Sequence, residues 1–377
     1  MIERRQLRYL DWYLLGSVLA LVGVGLLMIY SATYRGLPGI RVGPYYFVVR
    51  QLSWAIIGGI AGAAALVVDY RRWPRWSRGL YVIMLLLLMA VLASQKISGA
   101  SSWLRFGALG FQPSEPAKLI FVVVLASYLE KNPPDDTARE LVAPFLIAAP
   151  PLVLILLQPD FGTALVFAGI LLGMLFAAGA KPWRLGAVVG SGVLVGVVAA
   201  YLVLHGVDLK VVHPYQVQRL LAFLNPYHDP TRSGYNVIQS MIAVGSGQLT
   251  GKGLFAGSQT QLSFLPARHT DFIFSVIGEE LGFLGTTAVL GLFFLLIWRS
   301  LGVARVAKDP LGANMAAGVT SMFLTHLVVN VGMTLGVMPV TGIPLPFISY
   351  GGSSLLTNLL GVGILLNVQM RRLKILF

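Results

Sequence analysis

One stretch of the chain brings three carboxylates to the start of an apolar run. Asp271 follows a polar segment that ends in Arg268-His-Thr270, and Glu279 and Glu280 come two to three helical turns later. Carboxylates at a membrane helix are costly to keep there, so they mark a functional site by default. A carboxylate in such a place can take up a proton as a general base or hold a metal ion.

The two glutamates differ from Asp271 in their expected role. About eight residues of helix would place them roughly 12 Å from Asp271. At that depth they are paired with cations such as Lys118, protonated, or in contact with water in a cavity, and we favour a paired structural role. For Asp271 the plain alternative is an N-cap, with His269 as a solvated loop residue.

Two further clusters place carboxylates at the starts of predicted helices. In Phe111-Gln-Pro-Ser-Glu-Pro-Ala-Lys118 the acidic Glu115 and the basic Lys118 are three residues apart and share a helix face. In Leu157-Gln-Pro-Asp160 the aspartate opens the next apolar run. The alternatives are a helix cap with a local ion pair for the first cluster and a plain N-cap for Asp160. Spacing alone leaves both open.

A fourth stretch, Met338–Ser354, cannot be regular helix because it holds three prolines and three glycines. At membrane depth such backbone is tolerated only where it is buried in protein or lines a cavity. Ser353, beside Gly351 and Gly352, could offer a hydroxyl and backbone N–H groups to an anion. A re-entrant packing turn is the alternative.

Together these clusters predict a cavity open to the outer face, with carboxylates for proton transfer or metal binding and cations for phosphate. The candidate cations are Arg105, Lys118, Arg219 and Arg268. The sequence contains no Walker loop, dinucleotide fingerprint, HExxH or Cys/His zinc pattern. The sequence motifs that ATP-driven transport and zinc-dependent hydrolysis require are therefore absent.

The composition places these residues in a membrane protein. The chain is 56% hydrophobic and 11% charged, has a mean hydropathy of +0.77 and contains no cysteine. Apolar runs of about twenty residues recur along it. We predict an all-α polytopic membrane protein, one integral membrane domain over 1–377, with about ten transmembrane helices near 11–31, 46–68, 79–94, 116–130, 142–157, 163–180, 184–204, 271–298, 313–337 and 349–370.

The distribution of charge predicts the topology. With both termini cytoplasmic, more than half of the 28 lysines and arginines fall on the inner side, as the positive-inside rule expects. Topology therefore accounts for most of the net charge of +13, and we expect no nucleic-acid partner. One long extracytoplasmic loop, about 205–270 between spans seven and eight, includes a short amphipathic helix predicted at 234–244.

Several motifs, in order and over nearly the whole chain, closely resemble the SEDS family (shape, elongation, division, sporulation). They are Phe111-Gln-Pro-Ser-Glu115, Leu157-Gln-Pro-Asp-Phe-Gly162, Asn225-Pro with Asp229-Pro, Ser233-Gly-Tyr-Asn-Val-Ile-Gln-Ser240, Gly251-Lys-Gly253, Phe264-Leu-Pro-Ala-Arg-His-Thr-Asp-Phe-Ile-Phe274, Gly278-Glu-Glu-Leu-Gly282 and Pro344-Leu-Pro-Phe-Ile-Ser-Tyr-Gly-Gly-Ser353. The variants Gly257-Ser-Gln-Thr-Gln-Leu262 and Gly342-Ile-Pro-Leu-Pro346 look more like the family's elongation members than its division members.

The resemblance implies a peptidoglycan glycosyltransferase that polymerises lipid II into glycan strands for cell elongation and shape. It implies a multi-pass protein of the bacterial cytoplasmic (inner) membrane, acting at the outer face among membrane lipids, with a class B penicillin-binding transpeptidase as partner. The family's catalytic aspartate falls on Asp271. The family's other functional polar positions fall on Glu115, Lys118 and Asp160. To these substrate-site residues we add Ser353, from its hydroxyl beside two glycines, and Arg105, Arg219 and His269 as pyrophosphate or sugar contacts.

The chemistry of glycan polymerisation suits these residues. A sugar 4-hydroxyl must lose a proton as it attacks an anomeric carbon that bears a lipid pyrophosphate, and a carboxylate can take that proton. The leaving pyrophosphate needs cations, with a divalent metal such as Mg²⁺ or Mn²⁺ as an option. Direct displacement would invert the anomeric centre and a covalent glycosyl-aspartate would retain it; the sequence leaves both open.

Two rival functions use the same residues differently. A flippase for a lipid-linked cell-wall precursor would use the carboxylates as a proton relay and the cavity as a path across the membrane. It would transport the lipid in liposomes without making polymer. A scaffold that only recruits a transpeptidase would tolerate Asp271→Asn.

Overall fold

The structure is a computed structural model. It describes residues 9–37, 42–92, 104–106, 109–134, 139–204, 219, 223–231 and 234–372, with the backbone alone at 104–106, 109, 139, 140, 200 and 204. In chain order its helices are α1 (Trp12–Thr33), α2 (Tyr46–Val67), α3 (Ser77–Leu92), α4 (Ser114–Lys131), α5 (Arg139–Leu157), α6 (Phe161–Ala177), α7 (Pro182–Leu204), α8 (Tyr235–Ser246), α9 (Ser258–Gln261), α10 (Ile273–Val306), α11 (Pro310–Thr334) and α12 (Gly352–Met370).

Each of the ten predicted spans coincides with one of these helices, which confirms an all-α polytopic membrane protein. Within the described residues, six helices are long and apolar enough to cross a membrane: α1, α2, α7, α10, α11 and α12. Helices α3, α5 and α6 are apolar but shorter. Helix α4 carries charged residues at both ends. The count of ten spans stays a prediction.

Aspartate residues explain where three of the helices begin. Asp11, Asp160 and Asp309 each precede a helix, and each carboxylate accepts a hydrogen bond from a backbone N–H of the first turn. These N–H groups have no partner within the helix, so a side-chain acceptor stabilises the helix start. Pro310 then occupies the first turn of α11, where its missing N–H costs nothing.

Two local elements lie beside the helix starts. An unpredicted antiparallel hairpin, β1 (Leu104–Phe106) and β2 (Leu109–Phe111), leads into α4. The predicted amphipathic helix is present as α8, which packs against α10 through a face that includes Val237 and Ala243. Whether α8 lies in the bilayer surface stays a prediction.

Helix α10 is broken at Gly282, which has φ 66° and ψ −162°. The break frees the carbonyls of Glu279 and Glu280, which accept hydrogen bonds from the backbone N–H groups of Lys252 and Gly253 at 3.0 Å each. The 24 residues 283–306 that follow would by themselves rise about 36 Å, enough for one membrane span. Residues 273–281 are therefore a separate half-helix, held to the long loop by main-chain hydrogen bonds.

Helix α11 is the centre of the bundle. It packs against α4, α6, α10 and α12, while α12 also packs along α2. Small residues let these helices approach closely, as in other membrane bundles. A Cβ on Gly62 of α2 would lie 2.7 Å from the carbonyl oxygen of Leu359 in α12. This packing brings the start of α4, the start of α6 and the segment before α10 around one end of α11.

Candidate functional site

The first predicted cluster forms a buried ion pair. Helix α4 begins without a side-chain cap, so the predicted cap by Ser114 or Glu115 is wrong. The i, i+3 pairing is correct, since Lys118 Nζ lies 2.8 Å from Glu115 Oε1 and both side chains are almost completely buried. The other oxygen, Glu115 Oε2, is buried without a hydrogen-bond partner. Such an oxygen is costly unless a ligand or water donates to it.

His326, which was not among the predicted site residues, completes this cluster. His326 is buried in α11, with Nε2 3.0 Å from Lys118 Nζ and Nδ1 3.1 Å from the carbonyl oxygen of Pro344. A carbonyl only accepts, so Nδ1 carries the proton and Nε2 accepts from Lys118. A signal was present, because an ionisable residue inside an apolar span marks function.

The second cluster is a helix cap that also faces the site. Asp160 Oδ1 accepts from Thr163 N at 2.9 Å, and Oδ2 accepts from Thr163 Oγ1 at 2.8 Å. This geometry confirms the N-cap alternative. Gln112 Nε2 also donates to Asp160 Oδ2, at 3.3 Å. The cap therefore ties the start of α6 to the segment before α4.

Asp271 is not a helix cap. Helix α10 begins two residues later, with Phe272 as its N-cap residue and no side-chain cap bond. The backbone carbonyl of Asp271 accepts from Asn330 Nδ2 at 2.9 Å, which ties it to α11. A Cβ on Gly342 would come 3.4 Å from Asp271 Oδ2. The carboxylate thus lies against Gly342.

The environment makes Asp271 an unusually basic carboxylate. Burial raises the pKa of Asp271 to about 6, and the negative charge of Asp160 acts in the same direction. A hydrogen bond from Thr270 and the positive charge of Arg219 lower this pKa in part. A carboxyl group with a pKa near 6 is ionised at neutral pH and still accepts a proton readily.

These groups surround one cavity of about 300 Å³, counted with the solvent at its mouth. Its walls come from the segment before α4, the starts of α4 and α6, the middle of α11 and the irregular segment before α12. The lining residues are Gln112, Glu115, Asp160, Thr163, Val166, His326, Gly342, Ile343 and Pro344. Gly342, one of these lining residues, is also the residue beside which the carboxylate of Asp271 lies.

The two glutamates of the first motif have structural roles, as expected. The predicted partner was wrong, however, because Glu279 pairs with Lys252 at 2.9 Å and Lys118 is taken by Glu115. Glu280 accepts a hydrogen bond from Ser31 Oγ. Both carboxylates are completely buried. They hold the long loop onto α1 and the half-helix of α10.

Arg268 and His269 are fixed in place beside Asp271. The buried guanidinium of Arg268 donates to the carbonyls of Ala32 and Gly36 at 2.7 Å each, so the expected phosphate contact by Arg268 is wrong. The ring of His269 packs at tilted angles against Phe47 and Tyr350, at centroid distances of 5.1 and 5.6 Å. Burial and the charge of Arg268 lower the pKa of His269 to about 4, so its ring is neutral. Its buried Nδ1 has no hydrogen-bond partner.

The remaining predicted positions lie around this centre. Ser353 is buried in the first turn of α12, and its Oγ accepts from the backbone N–H of Gln112 at 3.2 Å. Trp54 packs directly on Gly352, which supports the packing-turn alternative for this segment. Arg219 is exposed, and its charge acts on Asp271. The side chain of Arg105 lies outside the described part of the chain, although β1 carries its backbone.

The carboxylates at the cavity suit a divalent cation that is shared with a phosphate ligand. In the described residues, no group of three or more His, Asp or Glu side chains could hold a metal ion. Mg²⁺ needs no such group, because it usually binds one or two carboxylates together with phosphate oxygens of the substrate. Asp160 and Asp271, whose charges interact, are the residues that would fit this arrangement.

Comparison with known proteins assigns the chain to a family. Residues 12–374 match the family model of FtsW, RodA and SpoVE, described as cell cycle protein. The chain is 41% identical over 367 residues to "Probable peptidoglycan glycosyltransferase FtsW" of Trichlorobacter lovleyi, covering 95% of this chain and 93% of that protein. It is 39% identical over 369 residues to "Peptidoglycan glycosyltransferase MrdB" of Escherichia coli K12, covering 97% and 94%.

A solved structure is similar over the same length. It superposes with a TM-score of 0.77 and 34% identity, covers 96% of this chain and 98% of that chain, and is described as "Structural coordination of polymerization and crosslinking by a peptidoglycan synthase complex". Since relatives named FtsW and MrdB match almost equally well, the elongation subtype stays a prediction. The extent of these matches shows that the chain belongs to the FtsW/RodA/SpoVE family of cell cycle proteins, which is the SEDS family.

Proposed function

We propose that this chain polymerises lipid II into glycan strands, with Asp271 as the general base. The chain is a peptidoglycan glycosyltransferase, the activity that the names of its relatives from T. lovleyi and E. coli carry. One observation supports the assignment of the site. Glu115 and Asp160 line a single cavity, Lys118 pairs with Glu115, and the basic carboxylate of Asp271 lies beside Gly342 of the cavity wall.

In the proposed reaction a sugar 4-hydroxyl attacks the anomeric carbon of a sugar that carries a lipid pyrophosphate. The new glycosidic bond forms, the bond to the pyrophosphate oxygen breaks, and the hydroxyl proton passes to the carboxylate of Asp271. The raised pKa of Asp271, about 6, supports this role. Direct displacement would invert the anomeric centre; a covalent glycosyl-aspartate, which would retain it, is the alternative.

The pyrophosphate gains negative charge as its bond breaks, and nearby cations stabilise that charge. Arg219, whose charge already acts on Asp271, is exposed and suits this contact. Lys118 fixes Glu115 so that its unpaired Oε2 can accept a hydrogen bond from a sugar hydroxyl. A divalent cation, Mg²⁺ or Mn²⁺, would be held by Asp160 and Asp271 and would neutralise the leaving group.

The cellular setting follows from family and topology. The chain is a multi-pass protein of the bacterial inner membrane. We place both termini in the cytoplasm by the positive-inside rule, so that the cavity opens to the outer face, where lipid II and membrane lipids meet it. The similarity to a complex that joins polymerization and crosslinking supports a class B penicillin-binding transpeptidase as partner. The role in elongation rests on the resemblance of the sequence motifs alone.

The test is polymerisation of purified lipid II by the detergent-solubilised chain with its transpeptidase, comparing wild type, Asp271→Asn and the control Glu130→Gln. Glu130 lies in the last turn of α4, at the end away from the cavity. We expect glycan chains from the wild type and the control and none from a folded Asp271→Asn. Equal amounts of polymer from all three proteins would show that Asp271 is not the general base. Transport of lipid II in liposomes, with no polymer from any variant, would favour the flippase.

A further inference from the structure

Two buried polar residues of α11 contact adjacent carbonyls of the irregular segment before α12. His326 and Asn330 are four residues apart, so they lie one above the other on a single face of the helix. His326 Nδ1 donates to Pro344 O at 3.1 Å, and Asn330 Nδ2 donates to Ile343 O at 2.7 Å. Both side chains are at most 1% exposed.

Each of these residues also contacts one half of the proposed reaction site. His326 Nε2 accepts from Lys118, the cation that pairs with Glu115. Asn330 Nδ2 donates a second hydrogen bond, at 2.9 Å, to the backbone carbonyl of Asp271. The pair therefore joins α4, the segment before α10 and the segment before α12 through one helix face.

The protonation of His326 follows from this arrangement. A second proton on its ring would place two positive charges 3.0 Å apart in a buried site. His326 is therefore the neutral acceptor that orients the Lys118 ammonium. Asn330 Nδ2 likewise donates hydrogen bonds to two main-chain carbonyls. Its Oδ1 is buried without a hydrogen-bond partner.

We propose that His326 and Asn330 are positioning residues that fix the Glu115–Lys118 pair relative to the carboxylate of Asp271. This inference rests on the proposed function. Neither side chain exchanges a proton with the substrate. They act by holding residues 343 and 344 at the cavity wall, so that the base and the acceptor oxygen Glu115 Oε2 face the same ligand. Misplacement of a catalytic group by about 1 Å can cost a hundredfold in rate.

The variants separate positioning from stability. His326→Leu and Asn330→Leu remove the hydrogen bonds but keep a similar volume. His326→Gln keeps a donor for Pro344 O and an acceptor for Lys118. Asn358→Leu is the matched control, because Asn358 is also a buried helix asparagine, and among the residues that the structure describes it donates only to Ser354 Oγ. Asp271→Asn marks the loss of the base.

Two readouts are measured on each purified variant in complex with its transpeptidase. The first is the initial rate of lipid II polymerisation against lipid II concentration. We expect kcat to fall about 10- to 100-fold in the two leucine variants with KM changed less than about threefold, and His326→Gln to recover most of the rate. The second is hydrogen–deuterium exchange, which we expect to accelerate in peptides covering 338–351 in both leucine variants, and in peptides covering 265–273 in Asn330→Leu, whose native side chain contacts Asp271.

The outcomes are decisive in either direction. Faster exchange with a kcat loss and rescue by glutamine supports the inference. Unchanged exchange in those peptides overturns it, as does faster exchange with wild-type kcat, or a His326→Gln variant as slow as His326→Leu. If the wild type makes no polymer, the proposed function has failed, and the exchange data still decide whether the pair fixes the two segments.

Discussion

Lys252 Nζ lies 2.9 Å from Oε1 of Glu279, whose carboxylate is completely buried between the long loop and α10. The same carboxylate accepts hydrogen bonds from the backbone N–H groups of Gln259 and Thr260, at 2.8 and 3.0 Å. One acidic side chain of the half-helix thus caps α9 and neutralises a loop lysine. The carboxylate, eight residues after Asp271 in the chain, therefore anchors the long loop to the half-helix.

Glu279→Gln is expected to lower stability and to loosen the loop. A glutamine keeps the volume but loses the charge that Lys252 and the two backbone N–H groups bind. Removing one partner of a buried pair costs about 3–5 kcal/mol, and retained hydrogen bonds to the amide oxygen should place the loss at or below the lower end. The measurement is the thermal unfolding midpoint in detergent, with Glu130→Gln as the control. A midpoint equal to that of the control would contradict this role.

The rate of polymerisation is expected to depend on pH through Asp271. A general base works only when it is unprotonated, so kcat should rise with pH through the Asp271 pKa, which is about 6 without a bound cation, and level off above pH 7. A divalent cation on the carboxylate would move this rise to lower pH. The measurement is kcat at saturating lipid II from pH 5 to 8. A flat profile over this range would contradict the assignment.

The carboxyl group of Asp271 is also expected to make the free energy of unfolding depend on pH. Because its folded-state pKa is raised, the folded state binds this proton more tightly than the unfolded state does. The contribution of Asp271 to the free energy of unfolding therefore falls as pH rises from about 4 to about 6. Asp271→Asn cannot show this loss, so we expect its unfolding midpoint to exceed that of the wild type at pH 7.5 and to approach it at pH 4.5.

The ion pair of Glu115 and Lys118 is expected to contribute to both stability and activity. Lys118→Met leaves Glu115 buried without its cation, which costs about 3–5 kcal/mol. In the double variant Lys118→Met/Glu115→Gln no uncompensated charge remains, so stability should largely return while polymer synthesis stays lost. Thermal unfolding and lipid II polymerisation are measured on the same samples. Recovered activity in the double variant would show that the pair serves only the fold.

Most of the helices could be predicted from the sequence, because a twenty-residue apolar run has few alternatives to a membrane helix. The caps were harder to predict. Asp160 caps α6 as its position suggests, but Glu115 lies within the first turn of α4 and Asp271 precedes α10, and neither side chain caps its helix. Cap spacing is a local signal. Their actual partners, Lys118 and the cavity wall at Gly342, depend on how α4, α10 and α11 pack.

Only some of the residues at the centre of the site could be predicted from the sequence. Asp271, Glu115 and Lys118 stood out by charge and motif. His326 carried a weaker signal, as an ionisable residue inside an apolar helix. Asn330 lies in the same helix and carried none, because the pattern there indicates only a span. The importance of these two residues comes from bonds to Lys118, 208 residues away, and to Asp271, 59 residues away. Contacts between residues so far apart in the chain cannot be read from the local hydrophobic periodicity of the sequence. The break at Gly282 likewise depends on pairing with the distant loop.

Gly282→Ala is expected to be one of the most destabilising small substitutions in α10. With φ 66° and ψ −162° the position lies in a region that only glycine adopts freely, at a cost of about 1–3 kcal/mol for other residues. An added Cβ would also collide with the backbone nitrogen of Gly251. Gly291→Ala is the control in the same helix, because a Cβ there meets nothing within 4 Å. The unfolding midpoint should fall for Gly282→Ala and stay level or rise for the control; equal midpoints would refute the argument.

Asp160→Asn is expected to separate the capping role of this residue from its charge. Asparagine caps helices about as well as aspartate, so the unfolding midpoint should stay close to that of the wild type. The variant nevertheless loses one of the two carboxylates proposed to hold a divalent cation with the pyrophosphate. We expect the Mg²⁺ or Mn²⁺ concentration for half-maximal polymerisation to rise about tenfold or more. Asp160→Ala, which removes the cap as well, should in addition lose about 1 kcal/mol of stability. If Asp160→Asn polymerises lipid II with the cation dependence of the wild type, Asp160 serves only as the cap of α6. The divalent cation would then be bound by Asp271 and the substrate without Asp160.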